Sequence, residues 1–127
     1  MGQTAKDYSL EPVTRELIGA AFEVHKVLGY GFLERVYQRA MQVELNLRKV
    51  KVELEPKLQV HFKGVNDGDY AADLLVADQI VVELKTDPEY QPAHEAQLLN
   101  ELKGTRIRLG YLVNFGRSKV EFKRMVM

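Results

Sequence analysis

Between Tyr70 and Lys85 the side chains alternate in a way that one strand pairing satisfies and its nearest rival does not. The runs Tyr70–Val76 and Ile80–Lys85 read as two strands joined by a short loop. If the loop is Ala77-Asp78-Gln79, Val76 faces Ile80, and directly opposed residues point to the same side of a sheet. One face then carries Ala72, Leu74 and Val76 beside Ile80, Val82 and Leu84, all apolar. The other carries Ala71, Asp73 and Leu75 beside Val81, Glu83 and Lys85, with Asp73 opposite Glu83. A two-residue loop, Asp78-Gln79, would move Asp73 to the core face and split the apolar set. Burial alone therefore selects the register that gathers Asp73, Glu83 and Lys85.

Two carboxylates and a lysine on a mostly apolar strand pair admit two explanations. One is a buried ion pair of Lys85 with Asp73 or Glu83, which stabilises little and leaves one carboxylate over. The other is a divalent-metal site. Carboxylate oxygens are the hard donors that Mg²⁺ and Mn²⁺ take, and a lysine can orient or deprotonate an attacking water or meet phosphate charge.

The rest of the chain supplies a scaffold. Residues 1–10 show no period and are expected to be loosely held. Pro12 opens a helix with Leu17, Ile18, Ala21, Phe22, His25 and Leu28 on one face, closed by Gly29. His25 on that face reads as a hydrogen-bonded core histidine. After Gly31 a second helix sets Leu33, Val36, Tyr37, Ala40, Met41 and Leu45 inward and ends near Arg48. The period then falls to two through Val50–Leu54 and Leu58–Phe62, and Asn66-Asp67-Gly68 signals a hairpin turn. After the strand pair above, a helix from about Pro92 to Lys103 leads to strands over Arg108–Phe115 and Val120–Val126. The strand–helix–strand step makes Ile80–Lys85 and Arg108–Phe115 parallel neighbours or near neighbours. The resulting order is α-α-β-β-β-β-α-β-β.

Composition narrows the chemistry. A length of 127 residues fits a single domain over 1–127, and 46% hydrophobic residues supply a core. With no cysteine, disulfides, thiol catalysis, zinc ribbons and iron–sulfur clusters are excluded. No apolar run reaches membrane-spanning length and the N-terminus lacks a signal-peptide core, so a cytoplasmic protein is expected. No Walker loop, nucleophile elbow or H-E-x-x-H helix occurs. The 18 basic and 18 acidic residues cancel, but unevenly along the chain. Asp67 to Glu95 holds 8 carboxylates against Lys85 alone, whereas Leu99 to Met127 carries 7 basic and 2 acidic residues. That basic tail is a candidate contact for phosphate.

Asp73 followed by Glu83-Leu84-Lys85 resembles the signature of the PD-(D/E)xK nuclease superfamily, with Ala72 in place of the proline. Gly31-Phe32-Leu33-Glu34-Arg35-Val36-Tyr37 is similar to the motif of its GxxExxY family. Further matches are Ile18–His25, Ile80–Lys85, His94–Leu99 and Leu112–Gly116, so the resemblance runs from about Val13 to Val126. It implies an α/β (mixed α+β) restriction-endonuclease-like core, with a mixed central sheet flanked by helices. It also implies that Asp73 and Glu83 bind Mg²⁺ or Mn²⁺ and that Lys85 is the catalytic lysine.

Glu34 matches the helical acidic residue that supports the metal or its waters. If Gly31 caps the helix, Glu34 falls at its third position and would serve as a capping residue instead. Gln97 resembles a glutamine beside the metal in the recombination-exonuclease branch, and His94 shares its helix face. Both also suit a solvated helix start. Tyr37 is either a site residue or a core tyrosine with a satisfied hydroxyl. Glu101 stands where that exonuclease branch carries tyrosine, and a carboxylate there would repel phosphate.

The resemblance thus implies metal-dependent hydrolysis of DNA or RNA. A different reading is a catalytically silent nuclease-fold module that binds nucleic acid or a protein. A third is a subunit working as a homodimer or in a larger assembly, since cutting both strands commonly takes two sites. No membrane partner is expected.

Overall fold

Pro12 lies in the first turn of helix α1 (Glu11–Leu28), where its missing N–H costs nothing, and Glu11 complements the helix dipole. The helix stops at Gly29, whose φ of 70° only glycine adopts freely and whose N–H reaches the His25 carbonyl at 2.8 Å. The computed structural model describes residues 10–127. The loosely held stretch expected over residues 1–10 lies outside them except at Leu10, which packs against the core. Leu17, Ala20, Ala21, Val24 and His25 face inward, but Phe22, expected among them, is 54% exposed.

Helix α2 (Glu34–Leu47) begins later than the sequence suggests. Gly31, at φ 115°, makes the turn, and Leu33 rather than Gly31 is the residue before the first helical position. Glu34 is therefore the first helical residue, not the third, and so is not placed as the third-position capping residue. The inner stripe is Tyr37, Gln38, Met41 and Leu45, which leaves Leu33 and Val36 exposed.

Five strands form one mixed sheet in the order β1-β4-β5-β6-β7: β1 (Val52–Leu54), β4 (Leu74–Val76), β5 (Ile80–Lys85), β6 (Leu109–Asn114) and β7 (Glu121–Val126). Helix α3 (Pro92–Thr105) connects β5 to β6, and these two strands pair in parallel from Ile80↔Leu109 to Lys85↔Asn114. The other pairings in this sheet are antiparallel. Helices α1 and α2 cover one face, packing Leu17, Tyr37, Met41 and Leu45 with Leu74, Val76, Ile80, Val82, Leu84 and Val113. Helix α3 covers the other with Leu98 and Leu102 against Leu75, Val81 and Leu112. Burial on both faces explains why β5 and β6 read as nearly continuous apolar runs.

The strand β4–β5 register is the one that burial selects: Val76↔Ile80, Leu75↔Val81 and Leu74↔Val82, around the Ala77-Asp78-Gln79 loop. The ladder, however, stops at Leu74. The expected strand Tyr70–Val76 is two strands, β3 (Val65–Ala71) and β4, separated at Ala72-Asp73. Ala72 accordingly packs in the α3-side cluster, not on the face of Leu74 and Val76. The observed order is α-α-β-β-β-β-β-α-β-β, one strand more than expected.

Strand β3 pairs only with β2 (Lys57–Phe62), as a separate hairpin against α3. Its turn is Lys63-Gly64, both at positive φ, as two-residue hairpin loops require, rather than Asn66-Asp67-Gly68. Asp67-Gly68 form a bulge opposite Val60 instead: the pairing shifts between Gln59 and His61, Gly68 takes φ 135°, and the Gly68 N–H binds Oδ1 of Asn66, itself paired with His61, at 3.0 Å.

The segment after β5 is fastened to the end of β6. Asn114 Oδ1 accepts from the Asp87 and Gly116 N–H groups, each at 3.0 Å, and Asn114 Nδ2 donates to the Asp87 carbonyl at 2.9 Å. Gly116 is required here, because a Cβ would overlap the Thr86 and Asp87 backbone. At Gly19, in mid-helix α1, a Cβ would meet only the movable end of Arg48. Gly116→Ala is expected to cost roughly 1–3 kcal/mol or more. Gly19→Ala, favoured by helix propensity, should change stability by less than about 1 kcal/mol. Urea denaturation midpoints of the two variants check the contrast.

Candidate active site

The break at Ala72-Asp73 turns a strand end into a fixed carboxylate. The Asp73 carbonyl accepts from Glu55 N–H at 3.1 Å and from the Gln38 side-chain amide at 3.0 Å. Its Oδ2 accepts from the Leu84 N–H at 2.7 Å. The carboxylate is thereby held against β5 and the carbonyl against α2 and the residue after β1, and Gln38, buried in α2, also donates to Glu55 Oε2 at 3.3 Å. Burial pushes the Asp73 carboxyl up, while the Leu84 N–H and Lys85 oppose the rise.

Glu83 lies one residue earlier on β5 and points to the α3 side. Burial pushes its carboxyl up to about 8; the Glu101 carboxylate and a hydrogen bond to it add to the rise, and Lys85 and the Asp73 N–H oppose it. Burial also raises Glu101, which Glu83, Lys85 and Gln97 hold down by hydrogen bonding or charge. Burial and the neighbouring Glu101 carboxylate thus favour the protonated form of Glu83, the two carboxyls sharing one proton. Glu83 Oε2 and Glu101 Oε1 remain buried without a hydrogen-bond partner.

Glu34 enters from the start of α2. Its carboxyl is raised, first by desolvation, then by Asp73 and Asp87, with Lys85 and His94 opposing. Lys85, at the end of β5, is thus felt by four carboxyls: Glu34, Asp73, Glu83 and Glu101. Among the described residues it closes no ion pair within 4.0 Å.

The remaining candidates divide. Gln97 is exposed and reaches the group through Glu101, one turn further along α3. His94 Nε2 pairs with Asp87 Oδ2 at 2.5 Å, in a cleft of ≈ 450 Å³ that Lys85 and Asn114 also line. Tyr37 is fully buried: its hydroxyl donates to the Gly29 carbonyl at 2.6 Å and its ring stacks on Phe115 at 4.5 Å. It fixes the turn from which Glu34 emerges. Two site neighbours escape sequence reading, since Gln38 and Asp87 carry no signal in spacing. Glu101, visible in sequence as a departure from tyrosine, lies against Glu83.

The donor chemistry suits a hard cation. The clustered groups are carboxylate oxygens, two of them buried and unpartnered, and a cation there would relieve the Glu83–Glu101 contact. No three acidic or histidine side chains among the described residues form a ready-made cage. An ion such as Mg²⁺ generally keeps several waters and takes one or two protein carboxylates together with substrate phosphate.

Without metal, the Glu83 proton ties stability to pH. Below its ordinary value of 4.5 both folded and unfolded chains hold it; between 4.5 and about 8 only the folded chain does. Unfolding then releases a proton, so stability falls as pH rises through that window. The melting temperature of chelator-treated protein should drop from pH 5 to pH 8, and Glu83→Gln should flatten that profile.

A crystal structure of a protein called SSO0001 matches 93% of this chain with a TM-score of 0.52 at 19% identity, which is a likeness of fold. The chain spans about three fifths of that protein, 60% of its length. Among curated proteins, none matches the chain in sequence. No helix among the described residues is long and apolar enough to cross a membrane. The family model for the PD-(D/E)XK nuclease superfamily, whose members typically use divalent metals, matches residues 11–125, and the chain belongs to that superfamily.

Proposed function

We propose that this chain is a metal-dependent nuclease of the GxxExxY type that hydrolyses phosphodiester bonds in DNA or RNA. The observation that carries the reading is Lys85, held among four carboxyls with no ion pair of its own within 4.0 Å among the described residues. A lysine serving only stability would close onto Asp73 or Glu83.

Asp73 and Glu83 would hold Mg²⁺ or Mn²⁺. Such an ion, when bound, lowers the pKa of its water and polarises the phosphoryl group. The Leu84 N–H keeps Asp73 Oδ2 in one orientation. Lys85 Nζ presents its protons to the attacking water or to the charge that develops on phosphate. Glu34 accepts hydrogen bonds from waters at the start of α2. Gln97 orients Glu101, and the Asp87–His94 pair offers a proton at the mouth of the cleft. Tyr37 acts at one remove, by fixing the turn before Glu34. Cutting both strands would take a homodimer or a larger assembly.

Plasmid and RNA cleavage assays in Mg²⁺ and Mn²⁺ test the reading. Lys85→Ala and Asp73→Asn should each lower the rate by ~10²–10⁴-fold, and EDTA should abolish cleavage. Absence of cleavage above the Lys85→Ala background on every substrate would leave a silent nuclease-fold module.

A further inference from the structure

Four clefts carry basic residues; one, with Lys26 and Lys119, lies between α1 and the start of β7, and the other three differ in kind. The cleft holding His94 is acidic: Asp87, Glu89, Glu95 and Glu121 outnumber Lys85 and Lys123, and Lys123 is spent on Glu95 at 3.9 Å. A cleft of ≈ 280 Å³ gathers Arg106, Arg108 and Arg124, but it lies at the Gln79 and Leu109 end of β5 and β6. Lys85 is at the other end of β5, about 17 Å away at strand rise. Three of the seven basic residues of the tail, Arg106, Arg108 and Arg124, therefore sit at the wrong end of the sheet, whereas Arg117 and Lys119 follow the end of β6 that pairs with Lys85.

The third groove, ≈ 560 Å³, leads to the site itself. Glu34, Glu55 and Asp73 lie along it, and Arg35 and Arg39 form its α2 side. The two arginines are four residues apart, so they share one helix face, about 6 Å apart along the axis. Both are exposed. Among the described residues neither closes an ion pair within 4.0 Å, although three carboxylates share the groove. Gln38, three residues after Arg35, lines the same groove and is bonded to the Asp73 carbonyl. Arg35 and Arg39 are thus attached, through one helix, to the residue that fixes Asp73.

We infer that Arg35 and Arg39 hold the phosphate backbone of a nucleic-acid strand in this groove and deliver its scissile phosphate to Asp73 and Lys85. Guanidinium groups meet phosphate oxygens with two parallel N–H donors, which fixes position as well as charge. The acidic floor repels a bare phosphate, so the strand is held by the arginine wall and approaches the floor only where a cation bridges the two. Both arginines are positioning residues. The inference rests on the phosphodiester reading above and specifies how the substrate lies.

The test uses a short fluorescein-labelled DNA duplex and its single strand, with every protein built on Lys85→Ala so that the probe stays intact in Mg²⁺. Anisotropy titrations compare Arg35→Gln/Arg39→Gln with Arg108→Gln/Arg124→Gln at the far end. The groove pair should weaken binding about tenfold and reduce the slope of log affinity against log salt by nearly 2 on duplex. The far-end pair should change affinity less than about twofold. In chains that keep Lys85, the groove pair should raise KM while leaving kcat within about threefold. Circular dichroism melts confirm that all variants fold. An unchanged affinity and salt slope for the groove pair, or an equal loss from the far-end pair, would overturn the inference. If the unmutated chain cleaves nothing but the groove pair still costs affinity, the groove stands and the nuclease reading falls. If the chain cleaves but the groove pair alters neither KM nor binding, the groove falls and the nuclease reading stands.

Discussion

The interruption of the β-ladder at Ala72-Asp73 is the constraint on which the site depends. A continuous strand from Tyr70 to Val76 would commit the Asp73 backbone to ladder pairing. Instead, the carbonyl of Asp73 binds Glu55 N–H and the Gln38 amide, and its carboxylate takes the Leu84 N–H. The carboxylate has thus become a substitute for a ladder acceptor, which pins one oxygen and leaves the other available. Such a break is tolerable because every backbone and amide group named here is satisfied. It also frees β3 to form a separate hairpin with β2 against α3, rather than extending the main sheet.

A second fixed point serves the opposite wall. The segment Gly31–Tyr37 positions Glu34 through the side chain of Tyr37, which reaches back to the Gly29 carbonyl and lies 3.4 Å from the Phe32 N–H that donates to it. The ring stacks on Phe115, and Phe115 lies over His25, whose Nε2 meets the Arg117 carbonyl at 2.7 Å. One aromatic pile therefore links the end of α1, the start of α2 and the chain leaving β6. The glycines set the turn, the tyrosine locks it, and the glutamate is what the lock presents.

How far the sequence revealed this depends on the range of each interaction. The β4–β5 register and the parallel β5–β6 pairing were legible because burial on both faces constrains every residue of those strands. The hairpin turn was misplaced because Asn-Asp-Gly satisfies the local chemistry of a bulge as well as that of a turn, and Lys63-Gly64 closed the loop first. The inner stripe of α2 was shifted because Gln38, polar and undistinguished in sequence, takes a buried place to satisfy Asp73. Although the ladder ends at Leu74 and Asp73 meets the Leu84 N–H instead of pairing with Glu83, that Asp73, Glu83 and Lys85 gather was legible from the register. The contact of Glu101 with Glu83 was not, since it depends on how α3 crosses the sheet, which no periodicity encodes.

The charge balance is a matter of space, not of sequence. Along the chain the basic residues gather after Leu99, yet three of the arginines there line a cleft at the far end of the sheet. The arginines beside Asp73 come from α2, within the acidic part of the chain. At the other end of β5, Lys85 faces four carboxyls that burial keeps reluctant to ionise. A buried arrangement with more acids than bases is a poor source of stability, because unpaired carboxylates must either share protons or attract a cation. The contact between Glu83 and Glu101 is where that conflict is sharpest. A divalent ion would displace the shared proton and turn the same crowding into affinity. On the proposed reading, the excess of carboxylates, costly in a protein that merely folds, is the property that would let a zero-charge chain hold a cation between itself and a polyanion.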